Sequence, residues 1–232
     1  METQEIVKQI LSGGVVAIIR LPTAEDLLPA AEAVRDGGVT AIEFTLTTPG
    51  AMRAMESARA RLGRDILLGV GTVLTTAAAR ETIRAGAQFL VAPNLNSEVV
   101  RIGNEAGVPV IPGALTPTEI IQAWEAGASL VKLFPANAVG PRYVKDLQGP
   151  LPNIPLLPTG GMSLDNVAAF IRAGAVAVGV GGEMISTDLL ARRAFQDITS
   201  RARAFVEAVK AARRRPVSSP PLIKPIEGPD IR

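Results

Sequence analysis

Two charged residues sit inside apolar runs that otherwise read as buried strands. Lys132 lies between Val131 and Leu133 in "LVKLFP", and Glu43 lies between Ile42 and Phe44 in "AIEFTL". Such side chains are almost never fully buried unless paired. Strand side chains alternate faces, so Glu43 shares a face with Ala41 and Thr45, and Lys132 with Leu130 and Phe134. If both faces point into one core, an amine and a carboxylate enter it together. A buried structural ion pair is one reading, and such pairs are weak evidence of stability. Chemistry is the other. Burial depresses the pKa of an amine. A neutral amine attacks carbonyl carbon and forms a Schiff base, while a carboxylate moves protons on and off carbon.

The rest of the composition narrows the chemistry. The 232 residues include no cysteine and no histidine. That removes thiolate chemistry, the Ser-His-Asp triad, histidine bases and most zinc sites, and no metal or organic cofactor is expected. The formal charge of +2 is too small to argue for nucleic acid or an anionic membrane. The residues from Met1 to Leu11 have no apolar core like that of a signal peptide, and no apolar run is long enough to span a bilayer. A soluble, cytoplasmic protein is expected.

A second feature is a repeated glycine pair. "LLPTGGMS" carries Gly160 and Gly161, and "AVGVGGEM" carries Gly181 and Gly182. Each reads as a strand that ends in glycines and runs into a helix. Backbone N–H groups exposed there bind an anion without a basic side chain. Tight turns that need glycine for steric reasons are the plainer explanation.

These residues need elements to hold them. Short apolar runs begin at Val15, Ala41, Leu67, Phe89, Pro109, Leu130, Leu156 and Ala175. They alternate with helical patterns over Ala24–Asp36, Ala51–Leu62, Thr76–Ala85, Ser97–Ala106, Pro117–Ala126, Tyr143–Leu147, Leu164–Ala173 and Leu189–Arg214. Gly38, Gly86, Gly107, Gly127 and Gly174 each fall where a helix must stop before a strand. Strict alternation implies parallel strands with helical crossovers, and eight units fit an α/β (β/α)8 TIM barrel. An open doubly wound sheet is weakened because no G-x-G-x-x-G follows the first strand. Thr3–Leu11 reads as a lead-in helix that could plug the barrel bottom. The division is one barrel domain over 1–215 and a tail over 216–232, flexible or surface-hugging, since Pro and Ser dominate its start. In such a barrel the active face is where strands end, and the seventh and eighth units hold phosphate.

The motifs "IEFTLTTPGA", "GVGTVLT", "AGAQFLVAPN", "IPGALTPTE", "VKLFPA" and "LPTGG" together resemble the 2-keto-3-deoxy-6-phosphogluconate / 4-hydroxy-2-oxoglutarate aldolase family of class I, Schiff-base aldolases, over about Ile6 to Val209. The resemblance implies Lys132 as the Schiff-base lysine and Glu43 as the proton-transferring carboxylate. It implies Thr72, Pro93, Phe134 and Thr159 as the pyruvyl-binding lining, and Gly160, Gly161, Gly181 and Gly182 as the phosphate cup. A small-molecule 2-keto acid substrate and a homotrimer are likewise implied. The sequence departs from the family at two points. Some members carry an arginine where Thr47 stands, so Arg20, at the end of the first strand, is the expected carboxylate partner. The cup often ends in serine, whereas here Gly182 is followed by Glu183. Glu183 is expected either in a first helical turn, pointing away, or close enough to a phosphate to repel it. A sugar-phosphate isomerase or epimerase barrel, which would not require a lysine within the sixth strand, remains open, as does a non-catalytic trimeric scaffold with a relic site.

Removal of the tail after Arg215 is expected to leave activity and melting temperature nearly unchanged. A large drop in melting temperature would show that the tail packs on the barrel or on a neighbouring subunit, with Leu222, Ile223 and Ile226 as its anchors.

Overall fold

The computed structural model describes residues 1–214. The expectation for the tail over 216–232 lies outside the described residues.

The alternation is realised in full. The strands are β1 (Val15–Ile19), β2 (Ala41–Thr45), β3 (Leu67–Gly71), β4 (Phe89–Val91), β5 (Val110–Ile111), β6 (Gly113–Ala114), β7 (Val131–Leu133), β8 (Leu156–Pro158) and β9 (Val178–Val180). All pair in parallel, in the orders β5-β4-β3-β2-β1-β9 and β6-β7-β8. β5 and β6 are two halves of one strand. Pro112 separates them because it has no N–H to give to the ladder, although its carbonyl still accepts from Lys132 N at 2.9 Å. A bridge between Thr159 and Gly179 joins β8 to β9. The two sheets therefore curl into one ring of eight strand positions.

The helices are α1 (Thr3–Gly13), α2 (Leu27–Asp36), α3 (Ala51–Leu62), α4 (Thr76–Arg84), α5 (Ser97–Glu105), α6 (Pro117–Glu125), α7 (Gly140–Gln148), α8 (Val167–Arg172), α9 (Thr187–Ala191) and α10 (Phe195–Arg214). Several expectations need correction. The helix expected over Leu189–Arg214 is two helices. Arg193, at φ 52°, takes the left-handed position after α9. Ala194 N then bonds Leu189 O and Arg193 N bonds Leu190 O, the paired bonds of a Schellman stop. No glycine marks this break. The short segment expected at Tyr143–Leu147 is the full helix α7, entered through a 3-10 turn at Ala136–Ala138. α8 begins at Val167 rather than Leu164, and α2 at Leu27 rather than Ala24.

Two apolar layers result from the face alternation. Ala17, Ile42, Leu68 and Val131 point outward into the layer shared with the helices. Val16, Ala41, Leu67, Phe89, Ile111, Leu130, Leu157 and Ala177 point inward and fill the base of the ring, capped by Ile6 and Ile10 of α1. The lead-in helix is thus a plug, as its sequence suggests. Each strand's next inward position lies nearer the C-terminal rim, which carries the inward register past the apolar floor to Ile18, Glu43 and Lys132.

Ile10 is fully buried in this floor. Ile10→Ala is expected to cost roughly 2–5 kcal/mol of stability, as core truncations do. Urea unfolding should show a lower midpoint at an unchanged slope. An unmoved midpoint would mean that α1 is not part of the folded core.

Candidate active site

Lys132 is the central residue of β7 and pairs with Gly113 on one side and Leu157 on the other. Glu43 is central in β2, between Ile18 of β1 and Gly69 of β3. Their exposures are 5% and 2%, so both charged groups stand inside the ring as the face alternation requires. Two glycines make the room. A Cβ at position 71 would overlap the Glu43 carboxyl, and a Cβ at position 179 would overlap the Thr159 hydroxyl. Glycine inside a strand often marks such a close approach.

The two groups act on one another without closing into a contact. Among the described residues no ion pair joins Lys132 to Glu43. Burial pushes the Glu43 carboxyl above its ordinary 4.5, while the positive charges of Lys132 and Arg20 hold it down. Burial pushes the Lys132 amine below its ordinary 10.5; the Glu43 charge opposes that shift and the Arg20 charge adds to it. The Lys132 Nζ also lies 5.0 Å from the centroid of the Phe134 ring, two residues on along the same face. The outcome is an amine biased toward its neutral, nucleophilic form beside a carboxyl biased toward holding a proton.

Lys132 opens into a cavity of about 570 Å3 at the C-terminal rim. Arg20, Phe134, Thr159, Gly160, Gly161, Gly181 and Gly182 line it with Lys132, so eight of the twelve residues singled out from the sequence share one space. Glu43, Thr47, Thr72 and Pro93 are not on its wall. Glu43 lies beneath the rim and acts on Lys132 through its charge. Thr47 is exposed, with its hydroxyl 3.1 Å from that of Thr45. Thr72 and Pro93 are half-buried, just past the ends of β3 and β4.

Thr72 has φ 63°, a left-handed backbone in a β-branched residue. Such strain costs on the order of 1–3 kcal/mol and clusters at functional sites. The glycine pairs do not run directly into helices: α8 begins only at Val167 and α9 at Thr187. Whatever anion-binding power the pairs have therefore comes from their own amides. Glu183 is not in a first helical turn. It is exposed, in the turn before α9, and it lines the cavity.

Sequence reasoning missed Ile18, Met162, Gly179, Ile185, Ser186 and Thr187, which complete the cavity wall. It also missed Thr48, whose buried hydroxyl accepts from Leu21 N at 3.0 Å and ties the chain after Arg20 to the loop after β2.

The two neighbours of Lys132 should shift it in opposite directions. In Glu43→Gln the amine loses the charge that raises its pKa, so its titration should move to lower pH. In Arg20→Gln it loses a charge that lowers its pKa, so its titration should move to higher pH. The check is the pH dependence of labelling of the Lys132 peptide by an amine-specific reagent, read by mass spectrometry. Shifts of the same sign in both variants would rule out this arrangement of charges.

With the geometry in hand, comparison with known proteins is specific. The family model described as "KDPG and KHG aldolase" matches residues 6–201. The 2-dehydro-3-deoxy-6-phosphogalactonate aldolase of Escherichia coli K12 is 35% identical over 196 residues, covering 84% of this chain and 96% of that protein. The 2-dehydro-3-deoxy-phosphogluconate aldolase of Treponema pallidum is 36% identical, covering 84% and 93%. A solved structure of the KDPG aldolase of Legionella pneumophila, with pyruvate captured as a covalent carbinolamine intermediate, superposes with a TM-score of 0.79 at 29% identity, covering 86% of this chain and 97% of that one. A match over residues 6–201, with relatives more than 30% identical along nearly their whole length, places this chain in the KDPG/KHG aldolase family of lyases.

Proposed function

We propose that this chain cleaves 4-hydroxy-2-oxo acids to pyruvate and an aldehyde through a Schiff base on Lys132. The substrates expected for the family are 2-keto-3-deoxy-6-phosphogluconate, which gives glyceraldehyde 3-phosphate, and 4-hydroxy-2-oxoglutarate, which gives glyoxylate. The observation that carries the reading is a buried amine, with no ion-pair partner among the described residues and shifted toward neutrality, that lines an open cavity. A purely structural lysine would be closed in an ion pair.

The steps follow from the site. The Lys132 Nζ lone pair attacks the C2 carbonyl carbon, and the carbinolamine hydroxyl takes a proton from the Glu43 carboxyl and leaves as water, giving an iminium and a Glu43 carboxylate. Glu43, directly or through a water, accepts the proton of the C4 hydroxyl. The C4–O electrons form the aldehyde carbonyl, the C3–C4 bond breaks, and its electron pair moves into the iminium to give an enamine. A carboxyl held above its ordinary pKa then has a proton to return to C3. Water hydrolyses the resulting iminium and releases pyruvate and the free amine.

Arg20, on the cavity wall and close enough to act on both Lys132 and Glu43, is suited to hold the substrate carboxylate. Phe134 and Thr159 line the cavity with the amine, while Thr47, Thr72 and Pro93 stand past the ends of β2, β3 and β4, off its wall. The amides of Gly160, Gly161, Gly181 and Gly182 form the far end. The catalytic unit is the barrel of residues 1–215, acting as a homotrimer. Light scattering should give three times the 24.2 kDa of one chain, and the mass of a single chain would overturn the trimer.

Borohydride with pyruvate should add a pyruvyl-sized mass to the Lys132 peptide, and Lys132→Ala should abolish both trapping and cleavage. Full trapping in that variant would sink the assignment. Glu43→Gln should fold normally and lose roughly 10²–10⁴-fold in turnover. Unchanged turnover would leave Glu43 a counter-charge only.

A further inference from the structure

We propose that the far end of the cavity favours a neutral, hydroxyl-bearing chain over a phosphate, so that the preferred substrate is an unphosphorylated 2-keto-3-deoxy sugar acid. This rests on the aldolase reading and concerns the end of the substrate remote from the chemistry. Three charged residues line the cavity: Arg20, Lys132 and Glu183. Arg20 and Lys132 belong to the keto-acid end, since their charges act on Glu43 and, in the case of Arg20, on Lys132. The wall charge that remains for the glycine-lined end is the Glu183 carboxylate, with Arg201 off the wall behind it, its Nη1 donating to the Glu183 carbonyl at 3.0 Å. Gly181, Gly182 and Glu183 are consecutive on the wall, so the carboxylate lies no farther from the cup than its own short side chain. A phosphate carries about −1.5 to −2 charges, and a carboxylate beside it repels it. Backbone amides, by contrast, donate equally well to the oxygen of a neutral hydroxyl.

The adjoining recess repeats this chemistry. On the other side of Thr187, a space of about 190 Å3 is lined by Thr23 and Asp26 together with apolar Leu21, Pro22 and Leu190. The Asp26 Oδ1 is buried without a hydrogen-bond partner among the described residues. Its nearest cation, Arg193 Nη1, stands at 3.6 Å, too far for a hydrogen bond. A buried acceptor left in this state favours a donor such as a hydroxyl. The hydroxyls of Thr23, Ser186 and Thr187 and the carboxylates of Asp26 and Glu183 therefore make the remote region one of acceptors and neutral donors. Apart from Arg20 and Lys132, assigned to the keto-acid end, no cationic side chain lines either space among the described residues.

The test compares 2-keto-3-deoxygluconate with its 6-phosphate, two substrates that differ only in the phosphate. For the parent protein, kcat/KM on the unphosphorylated acid should equal or exceed that on the phosphorylated one. Glu183→Gln should shift the ratio toward the phosphorylated substrate by about tenfold, and the shift should shrink at high salt. Glu183 is exposed and outside any helix, so the variant should fold, which circular dichroism verifies. A parent that prefers the phosphorylated acid by tenfold or more, or a ratio that Glu183→Gln leaves unmoved, overturns the proposal. Pyruvate trapping by borohydride, run alongside, separates the two levels. Trapping with the wrong substrate ratio removes the specificity proposal alone. No trapping in the parent removes the aldolase reading and the specificity proposal with it.

Discussion

An amine and a carboxylate held inside one ring of strands, close enough to act on each other yet not in contact, is the constraint on which the other features of the site depend. Desolvation works against both charges and shifts both pKa values toward neutrality. Each shift opposes folding. The Lys132 penalty is fully present below its folded pKa and fades as pH rises toward 10.5. The Glu43 penalty is fully present above its folded pKa and fades as pH falls toward 4.5. Between those limits the site is a load that the rest of the molecule must carry. The load is borne by the apolar floor capped by Ile6 and Ile10 and by the outer layer of helices. Sites for chemistry are commonly such places of stored cost.

The placement of the site follows from strand parity. Ala41 and Leu130 are inward and apolar, so Glu43 and Lys132, two residues on, are inward as well. This much was legible in the sequence, because a period of two needs only the residue order. The helix ends before the strands were legible for a similar reason. Gly38, Gly86, Gly107, Gly127 and Gly174 all have positive φ, where a glycine is the residue with the least steric cost. The break after α9 was hidden because Arg193 takes that same conformation without a glycine to announce it. The split of the fifth strand was hidden because Pro112 still lends its carbonyl to the ladder, so the segment reads as continuous.

What the sequence could not give was the third dimension of the cavity. Gly71 and Gly179 look like flexible strand residues until the Glu43 carboxyl and the Thr159 hydroxyl are seen to occupy the space that a Cβ would fill. Thr72 looks like one more β-former until its backbone proves left-handed. Thr48 looks like a loop residue until its hydroxyl is found to accept from Leu21 N. Each is a relation between segments far apart in sequence, and no local period encodes it.

The two ends of the cavity differ in how they recognise a substrate, and the difference follows from what each end is made of. Under the proposed mechanism, recognition at the keto-acid end is by covalent chemistry and by charge, from side chains pinned in strands or tied to them. Their positions are set by the barrel's hydrogen-bond ladder, which leaves little freedom to vary. At the far end the wall is loop backbone and short hydroxyl side chains ahead of a five-residue helix. A substitution there, such as an acid following Gly182, changes the electrostatics without disturbing a strand, a core layer or the amine. Chemistry held by strands and selectivity held by loops can therefore change independently. A barrel built this way can keep its amine and change the distal groups it accepts.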